Sequence, residues 1–254
     1  MASSFDLTGR RALITGSSRG LGFAMAKALA AAGASIVLNG RDQVTLGTAA
    51  AELAAIGAQV QGLAFDVTSE DSVTEAVSHC ETEIGPIDIL VNNAGIQIRG
   101  PLEDYSMDKF EQMLSSHVVS AFVVSKAVAK GMIGRGQGKI INICSVLTSV
   151  ARPTAAPYGA AKAAVANLTR GMAADWAPKG LNINAIAPGY FKTDLNKTLM
   201  ADPKFNEWVE QRTPMRRWGD LEELGGAAVF LAAPASNFIN GHILYVDGGM
   251  TAVV

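Results

Sequence analysis

Seven short aliphatic and β-branched runs punctuate the 254-residue chain, at 12–15, 35–39, 60–65, 87–92, 138–144, 182–187 and 243–246. Between them lie Ala-rich stretches long enough for helices, among them 21–32, 69–84 and 157–177. Strand-helix alternation at this spacing leaves few folds open and predicts parallel βαβ units with right-handed crossovers. The runs are mostly continuous rather than alternating, as strands need when helices cover both faces of a sheet. Helix starts carry their own signals: Ser69 precedes Glu70 and Asp71, and Pro157 suits a first helical position. The expectation is an α/β chain whose doubly wound, seven-stranded parallel sheet uses residues 1–254 as a single domain. About 30 residues between 187 and 220 break the rhythm; a loop that long is expected to hold short helices, at 194–200 and 204–211, and to act as a substrate lid over about 190–219.

Hydrophobic residues make up 49% of the chain and charged residues 17%, which argues against disorder. The 21 Lys and Arg against 23 Asp and Glu form no block of one sign and give no sign of a nucleic-acid partner. Residues 1–11 lack the apolar core of a secretory signal. The uncharged stretch 224–246 contains Gly225, Gly226, Pro234 and Gly241, so it reads as helix, turn and strand and not as a membrane span. Two cysteines, Cys80 and Cys144, show no zinc spacing and suit a reduced, cytoplasmic setting, with no metal expected. Cys144 ends an apolar strand with no histidine nearby in sequence, and reads as an inert buried thiol.

The first strand runs into Gly16-Ser-Ser-Arg-Gly-Leu-Gly22 and then an Ala-rich helix. A strand, a glycine turn and a helix N-terminus present backbone N–H groups to a phosphate, with Gly16, Ser18, Arg19, Gly20, Leu21 and Gly22 as candidate contacts. The spacing is GxxxGxG, not the GxGxxG of the usual dinucleotide fingerprint. After the second strand, Gly40 stands where an acid for a ribose 2′-hydroxyl would be, with Arg41 beside it. Arg19 and Arg41 converging on a 2′-phosphate favour NADP; Asp42 is the alternative, serving NAD.

Tyr158 and Lys162 are four apart at a predicted helix start and so share one face. A phenol of pKa near 10 needs about 4 kcal/mol of phenolate stabilisation to titrate near neutrality; a lysine cation one turn away and a charged nicotinamide are expected to supply it. Tyr158 then exchanges a proton with a carbonyl oxygen that Ser145, at the end of its strand, holds in place.

These motifs together resemble the short-chain dehydrogenases/reductases over essentially the whole chain. The matching segments are 15–22, Asp66-Val67, Asn92-Asn93-Ala94-Gly95, Ser145 with Tyr158 and Lys162, Pro188-Gly189 with Thr193, and 246–249. The resemblance implies a Rossmann-type sheet, Asp66 and Val67 near an adenine, and Asn93, Ala94 and Gly95 along the cofactor groove. Pro188, Gly189, Phe191 and Thr193 are implied at the cofactor, Thr193 on the carboxamide of its nicotinamide. It also implies a homotetramer through helices near 107–130 and 157–177. Within the family, segments 93–97, 142–146, 151–153, 156–158, 187–191, 212–214 and 217–219 are most similar to gluconate 5-dehydrogenases, implying interconversion of D-gluconate and 5-keto-D-gluconate. Arg99 and Arg152, in loops after strands, are candidate carboxylate ligands; each is alternatively a surface arginine. A reductase of another ketone, such as a 3-oxoacyl thioester, stays open, as does a catalytically weak dinucleotide-binding sensor. One position departs from the family: His117 stands where it usually carries an asparagine linked through water to the lysine. Neutral histidine offers one donor and one acceptor, so His117 is expected to serve the proton relay and activity to fall as it protonates; alternatively it fills a helix face.

Overall fold

The computed structural model describes residues 3–193 and 196–253. Strands β1 (Arg11–Ile14), β2 (Ser35–Gly40), β3 (Val60–Ala64), β4 (Ile89–Asn92), β5 (Gly138–Ile143), β6 (Leu181–Pro188) and β7 (Ile243–Val246) form one sheet. Their order is β3-β2-β1-β4-β5-β6-β7 and every pairing is parallel. This is the doubly wound, Rossmann-type arrangement anticipated from the alternation of elements.

The continuous apolar runs have a direct cause. Within each inner strand neighbouring side chains point into different cores. Ala12, Ile14, Ile36, Leu38, Ile89, Val91 and Ile141 join α1 (Gly20–Ala31), α2 (Gln43–Ala55) and α9 (Glu222–Ala232) on one face. Leu13, Val37, Leu90, Ile140 and Ile183 join α3 (Glu70–His79), α5 (Ser120–Arg135) and α6 (Ala156–Trp176) on the other.

Boundaries differ from expectation where side chains intervene. Strand β4 begins at Ile89 and not at 87, because the Asp88 carboxylate takes the Arg11 N–H at 2.9 Å. The helix expected over 69–84 ends as α3 and a π turn, Cys80–Ile84, closed by Gly85 N–H on the Cys80 carbonyl at 2.7 Å. A second π turn, Ser115–Val119, joins α4 (Met107–Leu114) to α5. This joined helix is long and apolar enough to cross a membrane by composition, but half of its apolar window is buried in the protein. The stretch 224–246 holds most of α9, a short 3-10 turn and β7. After β6 come α7 (Lys197–Met200) and α8 (Pro203–Arg212); Asp194 and Leu195, where the first lid helix was expected to start, lie outside the described residues.

A chain of buried amides ties the sheet to both long helices. Asn92 Nδ2 donates to Ser125 Oγ and Asn142 Oδ1, each at 2.8 Å, and Asn142 Nδ2 donates to Thr169 Oγ1 at 2.9 Å. Replacing Asn142 by Ala removes a donor and an acceptor inside this network. Asn142→Ala is expected to lose about 2 kcal/mol or more, measured as a lower denaturant midpoint at unchanged m.

Candidate active site

The strand order reverses between β1 and β4, and a cleft of about 590 Å³ opens there at the carboxyl edge. The turn after β1 is held against the exit of β4 by Thr15, whose hydroxyl accepts the N–H groups of Asn93 and Ala94, both at 3.0 Å. Asn93 returns the contact, donating Nδ2 to the carbonyls of Thr15 at 3.0 Å and Gly16 at 2.9 Å. Glycine at 16 and 22 is thus set by packing: a Cβ there would lie 2.8 Å from Ala94 Cα or 2.5 Å from Asn93 Nδ2. At Gly20 the need is conformational, φ +61, with open space where a side chain would point. Helix α1 begins there without a side-chain cap, so its N-terminal amides face the cleft.

Sequence reasoning missed Asn39. Its side chain accepts the Gly16 N–H at 3.2 Å and donates to the Leu63 and Phe65 carbonyls at 3.3 and 3.1 Å, knitting three strand ends. Asp42, the alternative ribose ligand, is a helix cap: it accepts the Thr45 N–H at 2.7 Å and bonds the Thr45 hydroxyl. Those bonds hold its carboxyl below the usual range. Asp66 closes a tighter turn ahead of α3, accepting the Thr68 N–H at 2.9 Å and its hydroxyl at 2.7 Å, and feels the Arg41 charge.

Of the residues expected at a cofactor, Gly16, Arg19, Gly20, Leu21, Asn93 and Gly95 line the cleft, as do Pro188, Gly189, Phe191 and Thr193. Ser18, Gly22, Arg41 and Asp66 do not; Val67 and Ala94 border a much smaller space beside Lys162 and His117. The Thr193 Oγ1 is buried in the cleft wall without a partner among the described residues.

Ser145, Tyr158 and Lys162 meet on the facing wall. Ser145 lies two residues past the end of β5 and caps a short turn, its Oγ accepting the Leu147 N–H at 3.1 Å. Lys162 Nζ donates to the Ile143 carbonyl at 2.6 Å and stands 5.7 Å from the Tyr158 ring centre. The expected lowering of the tyrosine is absent from the chain alone. Burial pushes the Tyr158 phenol up to about 12, and the Ser145 hydroxyl, within hydrogen-bonding reach, offsets only part of that. Burial likewise brings Lys162 down to about 8.

His117 reaches the same wall because the π turn in the helix swings it inward. Its ring meets Tyr158 edge-on, centres 5.4 Å apart, and Nε2 lies 2.6 Å from the Ile96 carbonyl, which puts the proton on that nitrogen. Nδ1 is buried without a partner. Burial first, then the Lys162 charge, brings the imidazole down to about 3. Protonation therefore falls far below neutrality, and the expected activity loss on charging His117 is not a neutral-pH effect. Gly95 is the ring's complement: a Cβ there would sit 2.1 Å from His117 Cε1, so glycine makes room for the imidazole.

Arg99 and Arg152 enter the cleft from separate loops tied by the Gly100 N–H on the Thr154 carbonyl at 3.3 Å, with Thr154 at φ 66. Burial and then the Arg152 charge pull Arg99 below its usual pKa. Arg99 donates to Gln97 Oε1 at 2.9 Å, and Arg152 Nε is buried without a partner. Among the described residues neither arginine pairs with a carboxylate. Sequence reasoning also missed the aromatic group of Tyr190, Phe205, Trp208 and Trp218 beside them, whose residues are dispersed over 29 positions of sequence.

Residues 16–251 match the family model described as enoyl-(acyl carrier protein) reductase, one of the short-chain dehydrogenase/reductase models. The chain belongs to the short-chain dehydrogenases/reductases. As a member it is an oxidoreductase acting on CH–OH groups. It is 53% identical to gluconate 5-dehydrogenase of Gluconobacter oxydans over 247 residues, covering 97% of this chain and 96% of the relative. It is 45% identical to 5-keto-D-gluconate 5-reductase of Escherichia coli over the full length of both. Its fold superposes with TM-score 0.97 on a gluconate 5-dehydrogenase from Burkholderia cenocepacia solved in complex with NADP and tartrate, at 50% identity, covering 99% of this chain and 98% of that one.

In this short-chain dehydrogenase/reductase, Gly95→Ala is expected to cost about 1–3 kcal/mol by overpacking. His117→Ala in the same chain should recover part of the loss, a coupling of about 0.5 kcal/mol or more in a double-mutant cycle. The cofactor-free enzyme should show no Tyr158 phenolate below about pH 10, read as the ultraviolet difference between wild type and Tyr158→Phe.

Proposed function

We propose that this short-chain dehydrogenase/reductase is an NADP-dependent enzyme that interconverts D-gluconate and 5-keto-D-gluconate. The observation that carries the reading is the pair of cations in the catalytic cleft. Arg99 and Arg152 line it together with Ser145 and Tyr158, neither neutralised by a carboxylate among the described residues. Two guanidiniums held close at electrostatic cost call for an anionic group on the ligand, and a sugar acid supplies one.

The cleft also suits a dinucleotide. The uncapped N-terminus of α1 at Gly20 fits a pyrophosphate, and the orphaned Thr193 hydroxyl further along fits a carboxamide. Ser18, Arg19 and Arg41 would hold the 2′-phosphate, Asp66 and Val67 the adenine, and Lys162 the ribose beside the nicotinamide. Asp42 is engaged as a helix cap through Oδ1, which disfavours it as the ribose ligand that NAD would need. The relative from Burkholderia cenocepacia, solved with NADP, supports the same choice. Bound there, the cofactor supplies or accepts the hydride.

Within the protein, Ser145 holds the reacting oxygen of the substrate and Tyr158 gives or takes its proton. Lys162, still largely a cation at neutral pH, stabilises the phenolate as the buried site fills. Residues 190–219, with α7 and α8, serve as the substrate lid. Exposed Met107, Val119 and Phe122 on the long helix support a homotetramer assembled through that face. Two buried, unpaired cysteines accord with a cytoplasmic enzyme.

The test is NADPH consumption with 5-keto-D-gluconate and a panel of neutral ketones. Turnover with the keto acid is expected, Tyr158→Phe lowering kcat by about a thousandfold. Arg99→Gln should raise KM for the keto acid by about tenfold. Turnover confined to neutral ketones or acyl thioesters, or a preference for NADH above about tenfold in kcat/KM, would overturn the reading.

A further inference from the structure

The Arg152 guanidinium does not stand alone in the cleft. Its central carbon lies 5.1 Å from the ring centre of Phe205, which sits in the first turn of α8. Stacking on a π face fixes the plane of a guanidinium while leaving its N–H edges free to bind. Phe205 is itself held from several sides. Its ring is 5.4 Å from Trp208, 5.7 Å from Tyr190 and 6.3 Å from Trp218, centre to centre. Trp218 is anchored in turn by its Nε1 donating to Asn206 Oδ1 at 2.8 Å. The cluster joins the residue just after β6 to the lid helix and to the segment that follows it. Tyr190, within hydrogen-bonding reach of Arg152, completes the contact between cluster and arginine.

We infer that Phe205 is a positioning residue that sets substrate specificity: its ring orients Arg152 toward the substrate carboxylate, so that lid and anion site act as one unit. The inference rests on the reading above in which Arg152 binds that carboxylate. A lid that merely covered the cleft would need no aromatic face against a cation whose Nε is buried without a protein partner. A lid that orients the arginine makes carboxylate binding and lid docking mutually dependent.

The experiment uses the full-length enzyme with NADPH and compares 5-keto-D-gluconate with a neutral ketone of similar size in Phe205→Leu, Phe205→Tyr and Arg152→Gln. Phe205→Leu is expected to raise KM for the keto acid by about tenfold, leaving its kcat and the neutral-ketone KM within about twofold. Phe205→Tyr, which keeps the π face, should restore the KM. A second readout is tryptophan fluorescence, since Trp208 and Trp218 are two of the three tryptophans in the chain. D-gluconate should change it in the wild type, and Phe205→Leu should need about tenfold more of the acid for the same change. Phe205→Met, which fills the space without a ring, replaces the leucine variant if that one does not fold.

An equal loss with both ketones, or an unchanged keto-acid KM, overturns the inference. If Arg152→Gln raises the keto-acid KM and Phe205→Leu does not, only this inference falls. If Arg152→Gln leaves that KM unchanged, the carboxylate reading and the inference fall together.

Discussion

The contact on which the rest of the site depends is the joint between the β1 turn and the β4 exit. The Thr15 hydroxyl accepts two backbone N–H groups from the β4 side, and Asn93 gives two bonds back. The joint lies where chain connectivity diverges to opposite sides of the sheet, so helices cannot cover the edge there and a cleft is left open. Two lips of that cleft take their position from this seam: the α1 amides on one side, and the loop bearing Gly95, Ile96 and Arg99 on the other. Close approach of the two backbones leaves no room for side chains at Gly16 and Gly22. The glycines of the turn therefore serve the protein's own packing before they serve any ligand.

A second theme is polar groups left without protein partners where a folded chain normally satisfies them. Thr193 Oγ1, Arg152 Nε and His117 Nδ1 are buried and unpartnered, and all three residues border the same cleft. Two of them face a use, as a carboxamide partner and a carboxylate partner in the reading proposed above. For His117 the donor nitrogen is committed to Ile96 and the ring to the space above Gly95 and beside Tyr158. Its observed contacts hold the β4 loop against Tyr158.

The electrostatics of the protein alone are those of a site awaiting its ligands. Burial makes Tyr158 a poor acid and Lys162 a weak base, because each charged form loses hydration without gaining a counter-charge. The tyrosine-lysine spacing thus supplies proximity, while the working pKa must come from the filled site. The same desolvation keeps His117 neutral, so at neutral pH the protein alone holds a phenol, a largely protonated amine and a neutral imidazole on this wall.

The alternation of apolar runs and Ala-rich stretches was sufficient for the parallel sheet, since only strands buried on both faces need continuous apolar character. The glycine turn, and Tyr158 with Lys162 on one helical face, were also legible, because both follow from backbone geometry over a few residues. Other features depended on packing between distant segments. Asp42 caps a helix and Asp66 closes a local turn, roles that compete with ligand binding and that spacing alone does not rank. His117 turns inward through a π turn that no periodicity announces, into a hole made by a residue 22 positions earlier. Arg99 and Arg152 are 53 residues apart, their loops tied by the bond between Gly100 and Thr154, and Phe205, on α8, reaches Arg152 from a third segment. Sequence periodicity governs which face a residue occupies; which residues converge at an edge is decided by loop packing, where side-chain shape and hydrogen bonding act between segments far apart in the chain.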